Sequence, residues 1–227
     1  MGAALVSFVA VAYAAKVAGR SALWEVVRVC GLDKRMTGSP LPCLEVTDSF
    51  VVLRPPFGPP DTILAPTRLV VGIEDPFLQT AEAPNYFALA WEARRWLRPP
   101  PPAGRVALAV NSRLARSQDQ LHVHIGCLAP EFAGRLGNRA LGPTARAWFR
   151  GPDMGPGLEL WTYRTGTSDW ANVLPFRLLK PLAGDPATMK RTTLAATLLG
   201  GELVLAALRS RPGGWYASAE DVIDGRC

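Results

Sequence analysis

Apolar and polar side chains alternate along residues 120–127, Gln-Leu-His-Val-His-Ile-Gly-Cys. Because successive side chains of an extended strand point to opposite faces, this alternation predicts a β-strand with two distinct faces. The apolar face is predicted to be buried and carries Leu121, Val123, Ile125 and Cys127. The other face carries Gln120, His122 and His124, and we expect it to open onto a polar space. The chain has two histidines, and their position on one face favours a chemical role.

Apolar runs and helical spacing predict further elements on both sides of this strand. Strands are predicted at residues 50–53, 62–65, 106–110, 158–163, 172–179 and 202–208. Helices are predicted at residues 21–28, 85–96, 131–140 and 187–199, with a last one capped near residue 218. The order strand, strand, helix, strand occurs before and after a Gly- and Pro-rich connector at residues 142–157. Residues 158–227 are therefore a candidate for a degenerate second half.

The N-terminal segment at residues 3–15 is uncharged and apolar, and Lys16 follows it. It is shorter than the ~20 residues of a membrane span but fits the apolar region of a secretory signal. Residues 12–14, Ala-Tyr-Ala, offer a cleavage site, although no basic residue precedes the run. We expect residues 1–20 to be a signal-like segment or a membrane anchor and residues 21–227 to be the catalytic domain. An ordinary buried helix is the alternative.

The four cysteines contain no C-x-x-C motif, so zinc-ribbon and thioredoxin-like interpretations have no support. An even number of cysteines in an exported protein indicates disulfides. Three pairings are possible, and we favour Cys30–Cys43 with Cys127–Cys227. Four buried free thiols are the alternative.

Composition and charge narrow the class of protein. With 48% hydrophobic and 19% charged residues, the chain is expected to be globular. The formal charge is +6, and residues 101–150 hold seven arginines against Asp119 and Glu131. Arginine suits forked recognition of phosphate, whereas no helix carries the dense basic stripe expected for nucleic-acid binding. We predict no nucleic-acid partner. A solvated basic surface is the alternative.

A histidine pair on a strand has two other interpretations. The rings could be ordinary solvated residues, or they could share a metal ion. Zinc generally needs a third protein ligand, and Asp119 and Cys127 are expected on the opposite face of the strand. We therefore predict no metal site and no cofactor.

The order hairpin, helix, strand, loop, histidine strand resembles the histidine-triad (HIT) fold. Within that superfamily the chain resembles the bacterial CDP-diacylglycerol pyrophosphatase family. The similar stretches are residues 64–67, 72–78, 84–94, 109–113, 117–118, 122–127 and 218–227. The resemblance implies an α+β fold, with a HIT-like antiparallel sheet, packed helices and an additional C-terminal strand and helix region.

The resemblance also implies roles for individual residues. The family pattern His-x-His-x-His has its nucleophile at the middle position, which corresponds to His122, and His124 corresponds to the third position. Gln120 stands at the first position, where it can form a hydrogen bond but cannot carry a positive charge. Charge stabilisation is then expected from His124 and nearby arginines. For phosphate binding we expect Asn111, Ser117 and Gln118 as donors and Arg113 as a charged clamp, with Arg116 as a solvated loop charge.

The implied reaction is hydrolysis of CDP-diacylglycerol to CMP and phosphatidate through a nucleotidyl-histidine, since a neutral imidazole is a competent nucleophile. The expected partners are this lipid nucleotide and a membrane surface. The expected location is the bacterial inner membrane, with the catalytic domain on the periplasmic side, or export if residues 1–20 are cleaved. Two alternatives remain open, a nucleotidyl hydrolase or transferase acting on a soluble nucleotide and a catalytically impaired nucleotide-binding homologue.

Overall fold

A computed structural model describes residues 19–55, 62–137, 140–224 and 227. The helices are α1 (Ala22–Thr37), α2 (Tyr86–Ala93), α3 (Pro130–Arg135), α4 (Pro175–Ala183) and α5 (Pro186–Met189). The first strands are β1 (Glu45–Val46), β2 (Phe50–Leu53), β3 (Thr62–Pro66), β4 (Val106–Val110) and β5 (Val123–Leu128). The later strands are β6 (Trp148–Arg150), β7 (Leu158–Arg164), β8 (Thr192–Leu199), β9 (Glu202–Ser210) and β10 (Ile223–Asp224). The mixed α+β class with an antiparallel sheet is confirmed.

The described strands form one ten-stranded sheet in the order β1-β2-β3-β5-β4-β8-β9-β7-β6, with β10 paired to the end of β5. Every neighbouring pair is antiparallel. The order β2-β3-β5-β4 is mirrored by β6-β7-β9-β8 across the β4–β8 junction. The strand that mirrors β5 is β9, which contains no histidine. The division of the chain into two halves stays a prediction.

Two layers cover the faces of the sheet. On one face, α2 and α4 enclose the main core, where the rings of Phe87 and Phe176 meet edge to face at 5.2 Å. On the other face, α1 covers β2 and β3, while α3 and the C-terminal segment cover β4, β8 and β9. Strand β5 lies between β3 and β4, so its second face lies between these two coverings.

Both expected disulfides are present. Cys30 and Cys43 have a Cα–Cα distance of 5.8 Å and close a loop of 13 residues after α1. Cys127 and Cys227, at 5.3 Å, join the end of the histidine strand to the C-terminus across 100 residues. The predicted pairing is therefore confirmed.

Two predicted elements in the second half are wrong. Residues 172–179 were expected as a strand, but Pro175 begins α4, and Phe176, Leu179 and Ala183 form its buried face at helical spacing. Residues 187–199 were expected as a helix, but Thr192–Leu199 is the strand β8. Strand β8 is central and mostly buried, so its two apolar faces give a continuous apolar run that resembles a buried helix.

No helix in the described ranges has the length and apolar character that crossing a bilayer requires. The apolar segment predicted at residues 3–15 lies outside these ranges.

The two disulfides close loops of different length and are therefore expected to contribute differently to the unfolding free energy. In the loop-entropy model, replacing Cys127 and Cys227 by serine costs about 4.7 kcal/mol of unfolding free energy, against about 3 kcal/mol for Cys30 and Cys43. Urea unfolding of the two double variants measures the difference. Equal losses of unfolding free energy, or a larger loss for the Cys30 and Cys43 variant, would contradict this prediction.

A second test uses Glu159, whose carboxylate accepts hydrogen bonds from Trp161, Arg209 and Arg211. Burial raises the pKa of Glu159, but hydrogen bonds from Trp161, Arg211 and Arg209 more than offset this and lower it from 4.5 to about 2. Its folded-state pKa is thus depressed, so its stabilisation is complete above the usual pKa and is lost as pH falls towards about 2.

Glu159→Gln is therefore expected to lower the unfolding free energy at pH 7 by on the order of 3 kcal/mol. The gap between variant and native protein should shrink steadily between pH 5 and 2, because the native carboxylate then becomes neutral too. Denaturant titrations at several pH values measure it. A gap that is the same at pH 7 and at the acid end would refute the assignment.

Candidate functional site

The two histidine rings lie together on the second face of the sheet, with His124 in β5 and His122 immediately before it. Their centroids are 4.8 Å apart, and the residues are only 8% and 7% exposed. His124 pairs across the sheet with Ile63 on β3 and Ala109 on β4. The expected shared face of His122 and His124 is confirmed by this contact. The rings are largely buried because α1 and the C-terminal segment cover the sheet on both sides of them. The expectation that this face opens onto a polar space stays a prediction.

A hydrogen bond of His122 to the backbone determines which ring nitrogen carries the proton. Its Nδ1 atom lies 2.8 Å from the backbone carbonyl oxygen of Gln120. A carbonyl oxygen can only accept, so Nδ1 must carry the proton. In the neutral ring the lone pair is then on Nε2, which makes Nε2 the nucleophilic atom.

His124 is oriented by Asn111, which follows β4. The Asn111 Oδ1 atom accepts a hydrogen bond from the Ala219 backbone N–H at 2.6 Å, and this fixes the direction of the amide. Its Nδ2 donor consequently faces His124 Nε2 at 3.4 Å. Since an amide NH2 only donates, His124 Nε2 is the acceptor in this contact. The expected role of His124 in charge stabilisation stays a prediction.

The C-terminal segment forms part of the wall beside these rings. Thr193 Oγ1 donates to the Ala217 carbonyl at 2.6 Å and accepts from the Ser112 backbone N–H at 3.0 Å. Ser218 and Asp221 form a capping box that begins the short 3-10 turn Ala219–Asp221, where a last helix was expected. The contacts of Thr193 with Ser112 and of Ala219 with Asn111 were missed, because nothing in the local sequence relates residues that are 81 and 108 positions apart.

The side-chain amide of Gln120 bonds to three backbone groups. Its Nε2 atom donates to the carbonyls of Pro66 and Arg68 at 2.9 and 2.8 Å, and its Oε1 accepts from the Val70 N–H at 3.2 Å. The residue is 1% exposed. The amide of Gln120 therefore positions the loop after β3, and the catalytic role implied by its place in the family pattern stays a prediction.

The side-chain amide of Gln118 also bonds to the backbone. Its Oε1 atom accepts from the Leu23 N–H at 2.9 Å and its Nε2 donates to the Gly19 carbonyl at 3.2 Å. It therefore satisfies a backbone N–H in the first turn of α1, and its expected role as a phosphate donor stays a prediction. Arg113 and Ser117 lie exposed in the same loop as Asn111, and their binding roles stay predictions.

The prediction that Arg116 is a solvated charge is wrong. Its side chain is 1% exposed and forms a forked ion pair with Glu74 at 2.7 and 2.8 Å, with Asp119 at 3.3 Å. Gly72, at φ 63°, makes room for it, because a Cβ atom there would overlap the guanidinium. The short spacing from Arg116 to Asp119 was visible, but the partner 42 residues away was not.

Asp119 joins this cluster to the start of α1. A hydrogen bond from Arg20, at 2.7 Å, lowers the pKa of Asp119, and the same bond raises the pKa of Arg20. The Asp119 backbone N–H also donates to the Arg20 carbonyl. The loop before β5 is thereby tied to both the β3 loop and α1. Across the described ranges, no group of three histidine, cysteine, aspartate or glutamate residues is arranged to hold a metal ion.

Breaking the buried ion pair should be costly. Arg116→Met leaves Glu74 buried without its partner, so we expect a loss of about 3–5 kcal/mol in unfolding free energy. Arg116→Met/Glu74→Leu should recover most of it, because both charges are then removed. The control is Arg28→Met, which breaks an exposed pair with Glu25 and should change stability by less than about 1 kcal/mol. Equal losses for Arg116→Met and Arg28→Met would contradict this interpretation.

Comparison with known proteins identifies the family of the chain. A family model described as CDP-diacylglycerol pyrophosphatase matches residues 18–227. The CDP-diacylglycerol pyrophosphatase of Yersinia pestis is 35% identical over 225 residues, which cover 95% of this chain and 87% of the relative. Both matches are to hydrolases of a pyrophosphate bond, and they define the class of protein.

The chain belongs to the CDP-diacylglycerol pyrophosphatase family, as the sequence resemblance predicted. A solved structure, yeast Ap4A phosphorylase in complex with Ap4A, is similar at a TM-score of 0.46 and 14% identity. The match covers 77% of this chain and 63% of that one.

Proposed function

We propose that the chain hydrolyses the pyrophosphate bond of CDP-diacylglycerol to CMP and phosphatidate, through a cytidylyl group bound covalently to His122. Family membership supports the substrate and the reaction. The observation that carries the covalent mechanism is the His122 Nδ1 to Gln120 carbonyl hydrogen bond, which directs the ring's lone pair to Nε2.

In the first step, His122 Nε2 attacks the phosphorus that bears cytidine. A P–N bond forms, the bond from that phosphorus to the bridging oxygen breaks, and its electron pair leaves with phosphatidate. The imidazole becomes cationic as it bonds to phosphorus. The Nδ1–H bond to the Gln120 carbonyl then becomes charge-assisted and stabilises the developing charge.

In the second step, water attacks the same phosphorus. The P–N bond breaks, its electron pair returns to Nε2, CMP leaves, and the proton of the water passes to solvent. Asn111 and His124 lie beside the attacked phosphate in this arrangement. The second hydrogen of Asn111 Nδ2 can donate to a phosphate oxygen, and the exposed Arg113 and Ser117 can approach from the same loop.

The location of the reaction is part of the proposal. We propose that residues 1–20 tether or export the catalytic domain to the periplasmic side of the inner membrane. Both disulfides support this, because such bonds persist in oxidising compartments.

The mechanism is tested with CDP-diacylglycerol labelled in its cytidine. The native protein should acquire an acid-labile label during turnover, because phosphohistidine-type bonds hydrolyse in acid. His122→Ala should acquire none and should lose at least about 10³-fold in turnover. His124→Ala retains the nucleophile, so it should turn over slowly and still be labelled.

Hydrolysis by His122→Ala at the native rate would refute the nucleophile. CMP binding by the native protein without any turnover would favour the impaired homologue. Turnover of soluble CDP-alcohols alone, with none of CDP-diacylglycerol, would favour the soluble-nucleotide alternative.

A further inference from the structure

We propose that the end of the sheet at which β5 begins is a lipid-docking surface, formed by Leu69, Val71, Leu114, Trp215 and Tyr216. This docking end would hold the protein against the anionic bilayer in which its substrate resides. The inference rests on the proposed function, because a diacylglycerol nucleotide presents its pyrophosphate at a bilayer surface.

The topology gathers exposed apolar side chains at this end. Because neighbouring strands are antiparallel, β5, β7 and β8 begin where β3, β4 and β9 end. The loops at this end are residues 67–72, 111–119 and 211–216. Nine large apolar side chains are exposed among the described residues, and the five of the docking end all belong to these loops. Their concentration at one end indicates a surface rather than scattered exposure.

The aromatic pair is the most exposed part of this end. Trp215 and Tyr216 are 62% and 56% exposed. The turn that carries them is held firmly, since the Trp215 N–H donates to the Pro156 carbonyl at 2.9 Å. Gly157 has φ 68°, and a Cβ there would lie 2.8 Å from the Gly214 Cα, so two backbones pack directly. A rigid turn that presents Trp and Tyr to solvent suits the headgroup region of a bilayer, where amphipathic rings are favoured.

The pair is connected to the catalytic site through the backbone. Tyr216 precedes Ala217, whose carbonyl is bonded by Thr193, and Ala219 is bonded by Asn111. Strands β7 and β5 are four strand spacings apart, or about 19 Å. A flat surface touching both the aromatic turn and the loop after β3 would therefore extend past His122.

Charge at this end complements an anionic bilayer. Arg113 and Lys190 are both exposed there, and the Arg113 N–H donates to the Lys190 carbonyl at 3.0 Å. Neither side chain forms an ion pair with any residue in the described ranges. Cationic side chains beside interfacial aromatics attract anionic headgroups.

The outer face of α1 is the competing surface, since Leu32 and Met36 are also exposed. A cavity of about 740 Å³ runs along this helix and touches neither histidine. Leu23 lies at the docking end, bonded to Gln118, so Met36 lies about 20 Å further along the helix axis. The cavity itself reaches Thr67 and Arg68 of the docking end, whereas Met36 lies at the far end of the helix, so Leu32 and Met36 provide the matched control.

The test compares two substrates with the full-length protein. One is CDP-diacylglycerol in mixed phosphatidylcholine and phosphatidylglycerol vesicles, and the other is a short-chain analogue kept monomeric. Trp215→Ser/Tyr216→Ser should lower kcat/KM on vesicles about tenfold and change it less than about twofold on the monomer. Leu32→Ser/Met36→Ser should leave both values within about twofold of native, and Trp215→Phe/Tyr216→Phe should retain most vesicle activity.

Native rates on vesicles for Trp215→Ser/Tyr216→Ser would overturn the docking surface while leaving the proposed function intact. Equal losses on both substrates would also overturn it, because they would indicate damage to the site. If the native protein cleaves neither substrate, the proposed function fails, and vesicle flotation of the same variants decides the docking surface alone. A change in oligomeric state with unchanged flotation would assign the patch to a second copy and overturn the lipid proposal.

Discussion

The hydrogen bond from His122 Nδ1 to the Gln120 carbonyl is the interaction on which the catalytic account depends. A histidine ring has two similar nitrogens, and only a fixed partner on one of them makes the other a defined nucleophile. The partner is a backbone carbonyl two residues earlier in the same chain. The position of that carbonyl is therefore as important as the ring itself.

Much of the surrounding structure holds this carbonyl in place. Gln120 bonds three backbone groups at the end of β3 and in the loop after it, and Arg116 ties the loop before β5 to Glu74. On the other side, Asn111 connects His124 to the C-terminal segment, which a disulfide joins to β5. Residues other than the two histidines thus determine where the Nε2 atom of His122 lies.

The first half could be predicted well because its signals are local. Alternation with a period of two placed His122 and His124 on one face, and Pro84 with Asn85 marked the start of α2. The second half was less predictable. Strand β8 is apolar on both faces, so its periodicity does not distinguish a strand from a helix. Only its pairing with β4 and β9 makes it a strand.

The candidate site, like the second half of the fold, could be predicted from the local sequence only in part. Asn111 was expected at the site from the family resemblance, and the structure brings it to His124. The backbone contacts of Gln118 and Gln120 could not be predicted, because an amide can bind a phosphate or a backbone group equally well and the choice depends on distant partners. Arg116 was wrong because Glu74 lies in another loop, 42 residues away. Chemistry-bearing residue types were visible in the sequence, whereas the direction of each side chain required the fold.

The central claim is the tautomer of His122, and nitrogen NMR of protein labelled with ¹⁵N-histidine tests it directly. The chain has two histidines, so the ring signals form two sets that His124→Gln assigns. At neutral pH the account predicts that His122 carries its proton on Nδ1 and has an unprotonated Nε2. A His122 ring protonated on Nε2, with Nδ1 bare, would contradict it.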